Sequence, residues 1–390
     1  MRIYLAFFQT QARGPGTANY GFWADMMRAG LQEGGHTVLE SPTIDWTAAM
    51  NLIAPGALAA WRDRTWSAVL GELAAEQARG GVDLFLGYFF PQQVEPAAVH
   101  EIRRRGIPAV NFFCDNVREF RRVPDAYRPF DLHWVPEWEA LPLYRAAGLA
   151  HIHAPMPVWI PPDYRHVSDR ESPDVTFLGS RDPLRSELFG RLEHLDVRVS
   201  IRGKGWQPDE APASAPVATD LRERLGNQAD FVRQHGLAAW LRKFRPGKTS
   251  PAPEPPTDWL GAPVSREEYL RLSRESAVTL GVNRYDSPRL RPGEIAAYSR
   301  LRDIEAPMLG ACYLTEWAPG LDQLYDLEEE ITTYRDVAGL AAQIQRLLAD
   351  PTRRLRLRHA AQRRALQAHT IGMTLQKITS ALGLRAVSRA

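Results

Sequence analysis

DVTFLGSRDPLRSELFGRLEHLDVRVSIRGKGW, residues 174–206, reads as a strand, a helix and a second strand. The apolar run VTFL closes on Gly179, Ser180 and Arg181, and Asp182 with Pro183 then starts the helix. Proline is well tolerated there because the first helical N–H groups have no partner within the helix. That start should leave free N–H groups beside Arg181. A strand, a helix and a further apolar strand make up the repeating piece of a parallel sheet covered on both faces.

The same alternation extends on both sides of this stretch. Upstream, IYLAFF (3–8) reads as a strand, Tyr20 to Glu33 as an amphipathic helix, and HTVLE as the next strand. VDLFLGYFF (82–90), a helix around 95–105, IPAVNFFCD (107–115), FDLHWVPE (130–137), a helix around 138–147 and HIHAPMP (151–157) continue it. Prolines 155, 157, 161 and 162 cannot sit inside regular elements and mark a domain boundary. Downstream, residues 207–257 turn polar and rich in proline and alanine, which reads as an insertion acting as a mobile cover. SREEYLRLSRESAVTLGVN (265–283), a loop from Arg284, a helix through Glu305, the strand ACYLTE (311–316) and two terminal helices from Asp336 onward resume the pattern. The expectation is an α/β protein of two doubly wound Rossmann-like domains: residues 1–160, residues 172–370 with the insertion, and a tail helix over 371–390.

At 390 residues the chain is long enough for two cores. With 44% hydrophobic and 24% charged residues it is neither disordered nor fibrous, and a formal net charge of +2 gives no reason to expect nucleic acid as the main partner. Cys114 and Cys312 lie in apolar stretches without metal-site spacing and read as packed thiols. No run approaches the length of a membrane span and the first residues lack a signal-peptide pattern, so a cytoplasmic location is expected.

From residue 302 to 370 a long ordered set of motifs appears: Arg302 and Glu305, Gly310, the turn Pro319-Gly320-Leu321, the acidic run Glu328 to Glu330, Tyr334 to Asp336, and His369 with Thr370. This order resembles the C-terminal domain of CgeB-like glycosyltransferases, relatives of group 1 glycosyltransferases with the GT-B fold. Weaker agreement extends through FLGSR (177–181), GKGW (203–206) and LQEGGHTV (31–38), although IGMTLQ stands where an arginine usually follows the histidine-threonine pair. The resemblance implies glycosyl transfer from a nucleotide-diphosphate sugar to an acceptor that the sequence does not identify. It also implies that the Pro319 turn faces the diphosphate and sugar, and that Glu305 accepts hydrogen bonds from ribose hydroxyls. Retention of anomeric configuration is favoured because similar C-terminal patterns occur in retaining enzymes.

The chemistry of such a transfer suits these residues. Without a metal or other cofactor, helix N-termini and arginines must neutralise the diphosphate. Gly179, Ser180, Arg181 and Arg302 on one side, and Pro319, Gly320 and Leu321 on the other, are therefore the donor-binding candidates. The plainer reading of Arg302 and Glu305 is an ion pair one helical turn apart. For the acceptor, Asp115 ends a strand at the carboxyl edge of the first sheet and could act as the base, or could simply cap the next helix with Asn116. Asn19 and Tyr20, in the loop after the first strand, are the other acceptor-side candidates. His151 and His153 lack a carboxylate or cysteine partner at ligand spacing, and the arginine-rich stretch 353–364 reads as a solvated helix face. A nucleotide-sugar epimerase and a non-catalytic nucleotide-sugar binding protein remain the alternatives.

Overall fold

The computed structural model describes residues 1–7, 21–51, 55–207, 253–285 and 295–384, with a few isolated positions between 228 and 241. The chain divides into two compact units. One contains Met1–Trp159 and Thr370–Ala390, and the other contains Ile160–Pro212 and Leu237–His369.

The first unit is built on six parallel strands: β1 (Arg2–Ala6), β2 (Thr37–Leu39), β3 (Leu84–Tyr88), β4 (Ala109–Phe112), β5 (Leu132–Val135) and β6 (His151–His153). Their spatial order is β2-β1-β3-β4-β5-β6, with Ile3 beside Leu84, Phe85 beside Ala109 and Val110 beside Leu132. β3 and β4 are buried at every position, as strands covered on both faces should be. Aromatic rings fill much of the core: Phe7 stacks on Phe112, and Trp66 packs on Phe85 and Phe89 while its indole N–H donates to Gln93 O at 2.8 Å.

The helices Gly21–Glu33 and Pro55–Gln77 precede β2 and β3, and the second of them was not anticipated from the sequence. After Asp336 the chain forms Val337–Ala349 and Pro351–Ala368, followed by the tail helix Ile371–Ala381. Asp336, Asp350 and Thr370 separate them, each side chain accepting from a backbone N–H three residues on. The last helix belongs to the first unit. It packs against Gly21–Glu33, and Gly30 makes that approach possible, since a Cβ there would lie 2.6 Å from Ile371 Cδ1.

The second unit repeats the architecture with β7 (Ser172–Leu178), β8 (Ser200–Arg202), β9 (Leu260–Gly261), β10 (Ser276–Gly281), β13 (Tyr313–Glu316) and β14 (Thr332–Tyr334), all parallel, in the order β14-β13-β10-β7-β8-β9. β11 (Arg284–Tyr285) and β12 (Ala296–Ala297) form a separate antiparallel pair. Val175, Phe177, Leu188, Phe189, Val278 and Leu280 are at the centre of its core. Of the 207–257 insertion, the segment 253–257 is described and the rest lies almost wholly outside the described residues. The backbone of Pro253 and Glu254 packs directly on Gly190 of the helix Pro183–Leu192.

The arginine-rich helix corrects the sequence reading. Arg353, Arg354 and Arg358 are buried, whereas Leu355 is 49% exposed. Arg358 donates to Gly310 O at 2.9 Å and to Arg274 O; Arg354 pairs with Glu171 and donates to Leu347 O, and Arg353 pairs with Glu328 at 2.9 Å. Guanidinium groups carry enough donors to bridge several carbonyls, so this face is a set of anchors and not a solvated surface. Both cysteines are buried free thiols. No helix among the described residues is long and apolar enough to cross a membrane.

Gly30→Leu should force the last helix off the first unit, because neither Ile371 nor the backbone of the helix Gly21–Glu33 can retreat by a side chain's width. We expect a loss of roughly 1–3 kcal/mol in urea unfolding, together with new proteolytic cleavage after residue 368.

Candidate functional site

The carboxyl ends of β7, β8, β10 and β13 gather the donor-side candidates. Gly179 leaves β7 and is clamped to the turn after β8: its N–H donates to Arg202 O at 2.9 Å, Arg181 N–H donates to Lys204 O at 2.9 Å, and the Trp206 indole donates to Gly179 O at 2.7 Å. Gly203 holds φ at +150°, and a Cβ there would fall on Gly179 O. The side chain of Asp182 caps the helix Pro183–Leu192 by accepting Arg185 N–H at 3.0 Å. The amides of Gly179, Arg181 and Arg185 are bonded within the protein. The Arg181 side chain reaches out to Glu254 at 2.6 Å, both groups being about half exposed. Ser180 offers its carbonyl to Arg185 Nη1 at 2.8 Å.

Side chains bring positive charge to this edge. Burial first, then the neighbouring charges of Arg300 and Arg302, lower the Arg185 guanidinium to about 10 against the raising effect of Asp182. Arg300 stacks on Tyr298 with its carbon 4.8 Å from the ring centre and donates to Arg284 O at 2.9 Å. Arg302 lies over the Tyr269 ring at 4.9 Å, and one of its terminal nitrogens is buried without a hydrogen-bond partner among the described residues. Arg300 and Arg302 are thus near enough to act on the Arg185 charge, and the three guanidinium groups are a candidate site for an anion.

The scaffold under these arginines is a buried carboxylate. Asp303, 0% exposed, accepts from Tyr313 OH and Thr315 OH at 2.8 Å each, from Arg300 N–H at 2.9 Å and from Asn283 Nδ2 at 3.0 Å. Beside it, Glu316 at the end of β13 takes Arg284 in a two-pronged pair, with Nη2 at 2.6 Å and Nε at 2.9 Å. Glu305 is 2% exposed, and its carboxylate is held by Arg266 at 2.9 Å and by the Tyr269 hydroxyl, so the simple pair with Arg302 is replaced by partners 39 and 36 residues away in sequence.

The turn Pro319-Gly320-Leu321 opens a helix of one turn only, Leu321–Leu324. Gly320 sits in the left-handed region at φ 82°, and Leu321 is fully buried, so the turn shapes the wall of the edge and Leu321 anchors it from below.

On the first unit, Asp115 follows β4 and precedes the short helix Asn116–Glu119. Its side chain does not cap that helix; it lies 3.6 Å from Arg118. The carboxylate that accepts Asn116 N–H, at 2.8 Å, belongs to Glu137 after β5. Burial raises Glu137 to about 8 and Glu139 to about 7. His153, at the end of β6, packs edge-on against Trp138. Asn19 and Tyr20 lie outside the described residues.

Sequence reasoning missed Arg185, Arg300, Tyr269, Glu316 and Glu137. Arg185 and Arg300 had a signal, being one helical turn after Asp182 and two residues before Arg302. Tyr269 and Glu137 had none, because their roles depend on partners distant in sequence.

Residues 182–380 match the family model described as glycosyl transferase-like. Among solved structures, the chain is similar to sucrose-phosphate synthase from Thermosynechococcus elongatus, with 13% identity, 98% of this chain and 99% of that chain covered, and a TM-score of 0.56. It is also similar to AviGT4, a glycosyltransferase involved in avilamycin A biosynthesis, at 12% identity over 97% of this chain and 96% of that one, with a TM-score of 0.53. Anabaena Alr3699/HepE, solved in complex with UDP, aligns at 10% identity over 98% and 99%, with a TM-score of 0.50. Identities this low show the fold, which is GT-B: two Rossmann-like domains with parallel sheets. No curated protein matches the chain.

Asp303→Ala should cost on the order of 3 kcal/mol in folding stability, since it strands several buried donors at once. Asp303→Asn should cost less, and urea titrations of both variants check the order.

Proposed function

The chain belongs to the glycosyl transferase-like family, and from that membership we propose that it carries a sugar from a nucleotide-diphosphate donor, bound by the second unit, to an acceptor activated at the first. The observation that carries the donor assignment is the cluster Arg185, Arg300 and Arg302 at the carboxyl edge of the second sheet. As the bond between sugar and diphosphate breaks, negative charge grows on the departing phosphate, and fixed guanidinium groups stabilise that charge more than the starting state. A bound metal is unnecessary in this reading because the arginines supply the counter-charge. HepE, of the same fold, was solved with UDP, which supports a nucleoside diphosphate as the ligand class.

In this assignment Arg302 and Arg185 contact the diphosphate, with Arg181 at the outer rim. Gly179 and Ser180 set the close approach of the β7 turn, and Pro319, Gly320 and Leu321 form the opposite wall. Glu305 keeps lone pairs beyond those used by Arg266 and Tyr269, and it offers them to the ribose hydroxyls. Asp115 removes the acceptor proton. The order of motifs from Arg302 to Thr370 favours the CgeB-like branch and, with it, retention of configuration. Two buried unpaired thiols suit a reducing compartment, so we place the reaction in the cytoplasm.

A thermal-shift panel of nucleoside diphosphates and their sugars identifies the donor, since a ligand at 100 times its dissociation constant stabilises the fold by about 2.7 kcal/mol. Release of free nucleoside diphosphate from that donor is the expected outcome. A product that keeps the bond between nucleotide and sugar would instead make the chain an epimerase, and binding without turnover would make it a binding protein. Arg185→Ala and Arg302→Ala should weaken diphosphate binding by about 1.5–3 kcal/mol each while leaving nucleoside binding within error. Glu305→Ala should weaken the nucleoside as well; an unchanged nucleoside affinity would remove Glu305 from the ribose.

A further inference from the structure

The first unit contains one carboxyl group that neither the fold nor the proposed reaction accounts for. Glu137 follows β5 and is 0% exposed. Its Oε2 accepts twice from one residue, from Asn116 N–H at 2.8 Å and from Asn116 Nδ2 at 2.6 Å. Its Oε1 is buried with no hydrogen-bond partner among the described residues. Asn116 is itself fully buried and is held on its other side, Nδ2 donating to Phe113 O at 2.8 Å and Oδ1 accepting from Tyr144 OH at 2.8 Å. Tyr144, Asn116 and Glu137 therefore make a chain that spans the helix Leu141–Ala146, the exit of β4 and the exit of β5.

The arrangement is unusual for a helix start. The residue at the cap position ordinarily supplies the acceptor for the first N–H groups, and here Asp115 occupies that position without doing so. The acceptor comes from the neighbouring strand's exit. We infer that Glu137 is a positioning residue for the acceptor side: by accepting both Asn116 nitrogens it fixes the turn from which Asp115 presents its carboxylate. The inference rests on the reading of Asp115 as the acceptor-side base.

The groups facing Glu137 are Asp115 and Cys114 from the exit of β4, Glu139 from the exit of β5, and Tyr144 from the helix Leu141–Ala146. None can carry a positive charge. Burial, aided by the charges of Asp115 and Glu139, keeps Glu137 protonated up to about pH 8, against the opposing effect of the Asn116 bonds. Because this value lies above that of the unfolded chain, Glu137 contributes stability that is complete below the ordinary carboxylate range, is lost progressively as pH rises from there, and is gone once pH passes about 8. Above that point a buried charge appears next to Asp115, and hydrating it requires the turn to open.

Hydrogen exchange at the Asn116 amide, expressed as a protection factor from pH 6 to 9, tests the inference in the full chain. In the parent protein protection should fall as pH rises from 6 toward about 8, beyond any change elsewhere in the unit, and level off above it. Glu137→Gln keeps an acceptor for Asn116 and cannot ionise, so it should retain protection and lose the fall with pH. Glu137→Ala should lower protection by about 10-fold or more at every pH, because the acceptor is gone. Protection in Glu137→Ala equal to that of the parent, or a fall with pH that persists in Glu137→Gln, overturns the inference; if Glu137→Ala does not fold, the Gln comparison decides alone. With the nucleotide sugar found in the thermal-shift panel, Glu137→Ala should slow release of nucleoside diphosphate by about 10-fold at unchanged donor affinity, and Glu137→Gln should restore most of it. Turnover abolished by Asp115→Asn but untouched by Glu137→Ala overturns the positioning role and leaves the transfer reading standing. If no nucleotide sugar binds, the transfer reading fails and the exchange data still decide what Glu137 does.

Discussion

Four donors converge on the Asp303 carboxylate, and the donor edge of the second unit depends on that convergence. Tyr313 and Thr315 bring β13, Asn283 brings the exit of β10, and the Arg300 amide brings the segment leading into the helix Arg302–Met308. A carboxylate out of contact with water is costly unless its lone pairs are filled. Filling them here requires three separate pieces of chain to arrive together. Burial still moves the Asp303 proton affinity upward despite those bonds, so the arrangement is held under electrostatic tension. Arg300 and Arg302 flank Asp303 in sequence and inherit their positions from it. An anion-binding edge made of long flexible side chains is in this way given a rigid base.

A second constraint is mechanical. Arg358 is 2% exposed and reaches Gly310 O before β13 and Arg274 O at the end of the helix Arg266–Glu275, with Glu171 at 3.4 Å. It joins the start of β13, the helix leading into β10 and the segment leading into β7. Burial lowers its proton affinity, which Glu171 partly offsets. Polar anchors of this kind add little net stability compared with a hydrophobic replacement, but they penalise any other packing of the same helix.

The parallel sheets were legible in the sequence because buried strands are written as short, nearly continuous apolar runs: IYLA, LFLGY and VTFL fall on β1, β3 and β7. The helix Pro55–Gln77 was hidden because exposed alanines 57, 60, 74 and 75 blur the stripe of Trp61, Thr65, Trp66, Val69 and Leu73 that it buries. The arginines of Pro351–Ala368 were misread for a related reason. Periodicity shows which residues share a face, and charge was taken to say which face is wet, whereas guanidinium groups with carbonyl and carboxylate partners can line the buried side. In the candidate site, Gly179 could be located from local spacing, and Arg302 and Glu305 from the ordered motifs that carry the family resemblance. Their partners could not, since the bonds of Glu305 to Arg266 and Tyr269, and of Glu137 to Asn116, cross between elements far apart in the chain.

The return of the helix Ile371–Ala381 to the first unit bears on how the chain is made. During synthesis, at about 5–20 residues per second, the surface of the helix Gly21–Glu33 that receives Ile371 is made early and stays uncovered until the second unit has been synthesised. The first unit is begun before the second and completed after it. Nascent chains halted anywhere within the second unit would carry that uncovered apolar surface, one to which holding chaperones bind and along which unfinished copies would adhere to one another.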